Sequence, residues 1–154
     1  MNNTIFKYRD VNPTSISDIK ILYERLASRK YSISHRQMPS YKEHQEFVSS
    51  HPYRYWCFIY REKVIGTYYV TQLNSVGIDL DDDFYNSIQL AISDIIKRHR
   101  PLPPINSVRG ANFHMNVSSK NKHLCEVLEL KGFVEIQRTF TLSQDNAKNT
   151  LKLF

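Results

Sequence analysis

The stretch Asn112-Phe-His-Met-Asn116 places a histidine where a proton could be moved. In an extended chain side chains alternate, so Asn112, His114 and Asn116 share one face while Phe113 and Met115 take the other. A polar triplet on one face of a central strand is unusual for packing alone. Imidazole is also the side chain whose ordinary titration lies nearest neutral pH. A second cluster, His51, Tyr53, Arg54 and Tyr55, joins basic and aromatic groups that either stack a nucleotide base or cover the core. Cys57 and Cys125 stand alone, with no Cys-x-x-Cys or metal spacing, in apolar surroundings that suit buried thiols rather than a disulfide. Nothing beside Cys125 in sequence would activate it as a nucleophile, so it reads as packing. The three carboxylates of Asp81–Asp83 are expected either to cap a helix and complement its dipole or to repel any anionic group they face. No metal site is indicated.

Period and punctuation give the elements that must position these groups. Residues 5–11 alternate as a strand. Pro13 ends it, and Ser15 or Ser17 caps a helix within 12–28 whose face is Ile19, Leu22, Tyr23 and Leu26. A loop follows, and then Ser40 and Glu43 form a capping box that opens a helix over 41–51. Three antiparallel strands are expected at 53–61, 64–73 and 75–80. Helical period returns over 81–100, with Ile88, Ala91, Ile92, Ile95 and Ile96 aligned and basic residues at the end. Pro101, Pro103 and Pro104 stop it. A strand is expected at 107–117. Ser118 or Ser119 then caps a helix with a Leu124, Val127 and Leu128 stripe, and Gly132 ends that helix. A last strand spans 133–142, with Val134, Ile136, Phe140 and Leu142 on one face. Residues 143–154 read as a polar tail. The expectation is one α/β domain of the α+β type over 1–154, built on a mixed, mostly antiparallel sheet flanked by helices.

At 154 residues, 41% hydrophobic and 23% charged, the chain can bury a core without disulfides. It lacks the run of about 18 apolar residues that a membrane span needs. Residues 1–11 show no apolar signal region. With two unpaired cysteines, a cytoplasmic location is expected. Lys and Arg number 21 against 15 Asp and Glu, and the pI near 9.3 suits an anionic partner. The basic residues are dispersed and no RNP, zinc or helix-turn-helix pattern occurs, which argues against a nucleic-acid-binding module.

Taken with this element order, residues 121–133, NKHLCEVLELKGF, resemble the fourth helix of the GCN5-related N-acetyltransferases, the GNAT family. Asn121, Leu124, Val127, Glu129, Gly132 and Phe133 carry the match. The strands around 64–66 and 77–80 fit that family's central strands. The segments MPSYKEHQEFV and YWCFIYREKVIGTYYV are also similar to members that acylate amino sugars on nucleotide carriers. The resemblance implies a sheet splayed between its fourth and fifth strands, with acetyl-CoA as donor substrate in the V. Its pantetheine arm would pair with the edge Gly77, Ile78, Asp79, Leu80. An acceptor amine, here an amino sugar on a nucleotide carrier, would attack the thioester directly. Donor contacts are then expected from Ile78, Leu80, Tyr85, Asn86, Ser87, Asn116 and Asn121. Acceptor contacts are expected from His35, Arg36, Tyr41 and Tyr55, unless His35 lies in a plain surface loop. His114, Asp79 or an ordered water chain would serve as base, unless Asp79 simply faces solvent. A homodimer is compatible with this reading.

The sequence departs from the family pattern twice. The glycine-rich pyrophosphate loop is replaced by DLDDDFYNSIQLA, with no glycine after Gly77. Leu128 stands where the family usually has tyrosine. These departures define the alternative, a catalytically degenerate GNAT-like protein that binds a ligand or partner.

Overall fold

Through the fourth strand the chain folds as its patterning predicts. A computed structural model describes residues 5–31 and 37–142. It runs β1 (Lys7–Asp10), α1 (Ile16–Ser28), α2 (Tyr41–Ser49), β2 (Tyr55–Tyr60), β3 (Val64–Val70) and β4 (Val76–Leu80). A 3-10 turn (Asp82–Ser87), α3 (Ile88–Arg98) and α4 (Lys122–Leu130) follow. The strands pair in chain order, each neighbour antiparallel. This is the mixed, mostly antiparallel α/β architecture expected.

Local chemistry explains the starts. Ser15 Oγ accepts from the Asp18 amide at 3.3 Å, capping α1. The buried Asp18 carboxylate accepts from both Arg9 Nη atoms at 2.9 Å and from Asn12 N at 2.8 Å, joining β1, the turn and α1. Ser40 and Glu43 close the predicted capping box at 2.8 and 3.2 Å.

Strand alternation then sorts side chains to two faces. Cys57, Ile59, Val70 and Val76 meet Ile88, Ile92 and Ile95 of α3 and Leu124, Val127 and Leu128 of α4. On the other face Phe58 meets Ile19 and Leu22 of α1 and Val48 of α2. Each fully buried Ile, Leu or Phe contributes roughly 1.5–3 kcal/mol, so the larger α3–α4 cluster provides most of the hydrophobic stabilisation. Cys57 lies in that cluster, where burial pushes its thiol up to about 11. Cys125 is half-buried rather than fully covered.

Three expectations need correction. Residues 107–117 do not form a strand. Ile105 and Arg109 close a tight turn, and within this stretch His114 alone bridges β4's entry, parallel to Ser75. The reason is polar: the Gly110 carbonyl is taken by the Asn74 side chain, while Arg109 donates to Pro103 O and Gln72 O. Side chains satisfy backbone groups that a ladder would otherwise need. Residues 133–142 pair with no described strand and are exposed from Val134 onward; a two-residue period predicts a strand without naming its partner edge. The 81–100 helix is divided, tightening to 3-10 through Ser87. Residues 143–154 lie outside the described residues. Among those described, no helix is long and apolar enough to cross a membrane.

Two histidines make stability depend on pH. His44 Nε2 sits 3.2 Å from Ile19 O, and burial lowers its pKa. His99 stacks on Tyr55 with centroids 4.2 Å apart and lies 2.8 Å from Tyr68 OH. Burial first, then the Arg98 and Arg54 cations, lowers its pKa. In the unfolded chain both bind protons near the ordinary value of about 6.5, so below that pH the unfolded state holds more protons. The stabilisation is complete above the unfolded value and is lost as pH falls through the lower folded values. The urea midpoint should therefore drop from neutral pH to mildly acidic pH, and His99→Gln should flatten part of the slope. A midpoint unchanged across that window contradicts the assignment.

Candidate active site at the open edge of β4

Asn74 decides where β4 loses its outer neighbour. It occupies the β3–β4 turn with φ of 64°, a conformation Asn tolerates better than most residues, and it is fully buried. Its Nδ2 donates to Leu102 O and Gly110 O, both at 2.9 Å, and its Oδ1 accepts from Leu102 N at 2.7 Å. Its carbonyl accepts from His114 N at 3.0 Å, and Val76 N donates to His114 O at 2.8 Å. Beyond Val76 the two segments part. Among the described residues, no backbone hydrogen bond joins Gly77–Leu80 to residues 115–118. Val76 donates toward His114, whereas Asp81 N donates to Ile65 O on β3. Alternation therefore turns the N–H and C=O of Ile78 and Leu80 into the gap.

The opposite wall carries the predicted polar residues. Phe113, Met115 and Val117 pack onto the α3–α4 core, which turns His114 and Asn116 to the other side. Asn116 Nδ2 reaches Ser75 Oγ at 3.5 Å. His114 is half-buried, and its ring makes no hydrogen bond among the described residues.

Asp79 stands differently. Its Oδ2 accepts from Arg25 Nε and Nη2 at 3.0 and 2.8 Å, while Arg25 Nη1 reaches Asp81 Oδ1 at 2.9 Å. One guanidinium from α1 thus engages two of the carboxylates after Gly77. Sequence reasoning missed Arg25, since nothing local ties α1 to residues 54 and 56 positions away.

Tyr69 was also missed, although the register could have pointed to it. Tyr69 lies directly opposite Gly77, and its ring crosses the space a Cβ at Gly77 would fill. The glycine admits the phenol over β4. Tyr53 stacks on Tyr69 with centroids 4.1 Å apart and planes 8° from parallel. Burial first, then Tyr69, pushes Tyr53 up to about 12.

Tyr85 and Asn121 come together at the far end. Asn121, rather than the expected Ser118 or Ser119, caps α4 by accepting from Leu124 N at 3.2 Å, and its Nδ2 donates to Tyr85 OH at 2.7 Å. Burial raises the Tyr85 pKa, as do Tyr31, Asp79 and Asp82, against the lowering effect of Asn121. The 3-10 pattern engages backbone amides of the turn with carbonyls three residues back, as Phe84 N with Asp81 O at 2.9 Å. Tyr85, Asn86 and Ser87 therefore present side chains rather than a cradle of free N–H groups. Leu128 is buried in the core.

The expected acceptor residues are spread wider. Tyr41 opens α2 and meets Tyr23 edge-on at 5.2 Å. Tyr55 aligns with Val70 and Val76 across three strands, placing it two strands from the gap. It borders a cleft of about 190 Å³ with His51, Tyr53, Arg54 and Trp56. His35 and Arg36 lie outside the described residues. Among those described, no three His, Cys, Asp or Glu side chains cluster to hold a metal.

No protein-family model matches the sequence. No curated protein matches it. Solved structures do share the fold. A domain from Methanocaldococcus jannaschii DSM 2661 is 16% identical, with 92% of this chain and 93% of that one covered at a TM-score of 0.66. A possible acetyltransferase from Clostridium difficile 630 is 9% identical, with 91% and 97% covered at 0.55. AAC(6')-Iy in complex with the bisubstrate analog CoA-S-monomethyl-acetylneamine is 15% identical, with 90% and 97% covered at 0.53. The chain thus shares its fold with a possible acetyltransferase and with AAC(6')-Iy.

Removing the Asn74 side chain tests how this wall is built. Asn74→Ala leaves one N–H and two carbonyls without their partner. At roughly 1–3 kcal/mol for an unsatisfied buried group, and with some water reaching the loop, the loss should be about 3 kcal/mol. Urea unfolding measures it, and a loss below about 1 kcal/mol contradicts the assignment.

Proposed function

We propose that this chain is an acyl-CoA-dependent N-acetyltransferase. The observation that carries the reading is the edge of β4 left unpaired among the described residues, where Ile78 and Leu80 direct backbone donors and acceptors toward the side bearing His114 and Asn116. Pantetheine is a chain of amides, and it would add to this edge as an extra strand. The likeness in fold to AAC(6')-Iy, solved with a CoA-based bisubstrate analog, supports the donor.

The chemistry follows from that placement. The acceptor nitrogen attacks the thioester carbonyl carbon, and the oxyanion takes a hydrogen bond from an edge amide of β4. His114 removes the proton that the nitrogen sheds. The C–S bond breaks, the acetyl group stays on nitrogen, and the thiolate takes a proton from Tyr69 or from His114. Tyr69 thereby assumes the role that Leu128 cannot fill. Asp79 acts through Arg25, which fixes β4 and offsets the carboxylates beside the donor. Asn121, Tyr85, Asn86 and Ser87 line the donor's far end, where Lys120 and Lys122 stand exposed to meet phosphate.

The acceptor we assign is a small amine, an amino sugar on a nucleotide carrier. The aromatic cleft at Tyr53 and Tyr55 suits a flat base, with Arg54 beside it for phosphate. His35, Arg36 and Tyr41 enter as acceptor contacts on the family resemblance. The free thiols suit a reducing cytoplasm, and one domain spans the chain.

Acetyl-CoA at millimolar concentration should raise the melting temperature by several degrees. Thiol release should then appear with one of a panel of nucleotide-linked amino sugars. His114→Ala should lower kcat by about 10²–10⁴-fold while leaving the donor-induced shift intact. Absence of any shift overturns the reading. A shift without thiol release from any amine assigns binding without catalysis.

A further inference from the structure

Tyr53 touches both the aromatic cleft and the phenol that crosses β4. It lines the cleft beside Arg54, Tyr55 and Trp56. Its ring also lies flat on Tyr69, with centroids 4.1 Å apart and planes 8° from parallel. Tyr69 in turn covers Gly77, where an added Cβ would collide with its Cζ, Cε1 and hydroxyl oxygen. One α-hydrogen of Gly77 therefore points at the phenol.

The arm that carries Tyr53 is fixed at both ends. Upstream, His51 follows α2 with φ of 52°, and its amide donates to Val48 O at 3.2 Å. Pro52 then locks one backbone angle. Downstream, Arg54 Nη1 donates to Arg100 O at 3.0 Å, which ties the arm to the end of α3. Trp56 and Phe47 meet the Tyr53 ring edge-on, with centroids at 4.8 and 5.9 Å. A ring held this way has little freedom to tilt, and a second ring flat upon it shares the restriction. Without the stack, the Tyr69 phenol could leave Gly77 by changing rotamer.

We propose that Tyr53 is a positioning residue, whose stack on Tyr69 holds that residue's hydroxyl over Gly77 beside the gap. The catalytic consequence rests on the proposed reaction, in which Tyr69 gives its proton to the departing thiolate and regains one from water. The positioning itself does not. Tyr53 is not the donor, because burial first, then Tyr69, pushes its pKa up to about 12. It stays a neutral phenol at neutral pH, and the contact is made through the ring faces.

Proton NMR reads the positioning without any substrate. One Gly77 α-proton should be displaced by the Tyr69 ring current, and Tyr69→Leu should remove the displacement. Tyr53→Phe, which keeps the flat ring, should preserve it. Tyr53→Leu, which keeps bulk without a flat face, should lose most of it. In turnover, Tyr53→Leu should lower kcat by about ten- to a hundredfold with KM for acetyl-CoA unchanged, and Tyr53→Phe should match the wild type. A Gly77 signal unmoved by Tyr53→Leu overturns the proposal, and so does a signal lost with kcat intact. Equal losses in the Phe and Leu variants overturn it too, by assigning the effect to the Tyr53 hydroxyl. If the wild type neither binds acetyl-CoA nor releases thiol, the proposed reaction falls, and the Gly77 signal still decides the positioning. If Tyr53→Leu fails to fold, cross-relaxation between the Tyr53 and Tyr69 rings in the wild type decides: its presence with the Gly77 displacement supports the stack, and its absence overturns it.

Discussion

The buried amide of Asn74 is the constraint from which the site follows. A side chain at a left-handed turn holds Leu102 and Gly110, and through them a proline-rich loop, against the end of the sheet. That attachment delivers His114 to β4 at one point only. A continuous ladder would have consumed the outer groups of Ile78 and Leu80. A single point of contact lets the walls diverge while keeping them in register. The splay is therefore set by where side chains replace backbone pairing, and the larger α3–α4 core keeps both walls from closing or drifting.

Charge is arranged with equal economy. The segment after β4 is acidic where the GNAT pattern has glycines, which by itself would repel a phosphorylated donor. Arg25 engages Asp79 and Asp81 in a partly buried cluster, leaving Asp82 and Asp83 to the first turn of the 3-10 segment. Such a clamp adds modest net stability but fixes geometry, because a planar guanidinium accepts few arrangements. Gly77 makes the complementary steric provision: without a side chain, it lets Tyr69 lie across the strand beside the gap.

Much of this was legible from residue patterns. The cap at Ser15, one of two serines offered, the Ser40–Glu43 box, the three-strand meander of β2–β4 and the helix ended by Gly132 all rest on local rules, and local rules hold in isolation. Gly132 has φ of 86°, and Phe133 N bonds Leu128 O at 3.0 Å, as a glycine-ended helix requires. The 107–117 and 133–142 strands failed as elements because a ladder needs a partner, and period says nothing about one. Arg25, Asn74 and Tyr69 escaped notice for a related reason. Each acts on residues of another element, and only the register of β3 against β4 hints at the Tyr69–Gly77 pair. The polar face of His114 was readable, whereas the engagement of Asp79 by α1 was not.

The central claim is that the outer edge of β4 receives an acyl-CoA as an added strand. Backbone amide chemical shifts followed during titration with acetyl-CoA test it most directly. The account predicts saturable shifts centred on Ile78 and Leu80, with slowed amide exchange at both and smaller changes at His114 and Asn116. Binding that perturbs the Tyr53–Trp56 cleft and leaves the β4 amides unmoved, or no binding at all, would contradict it.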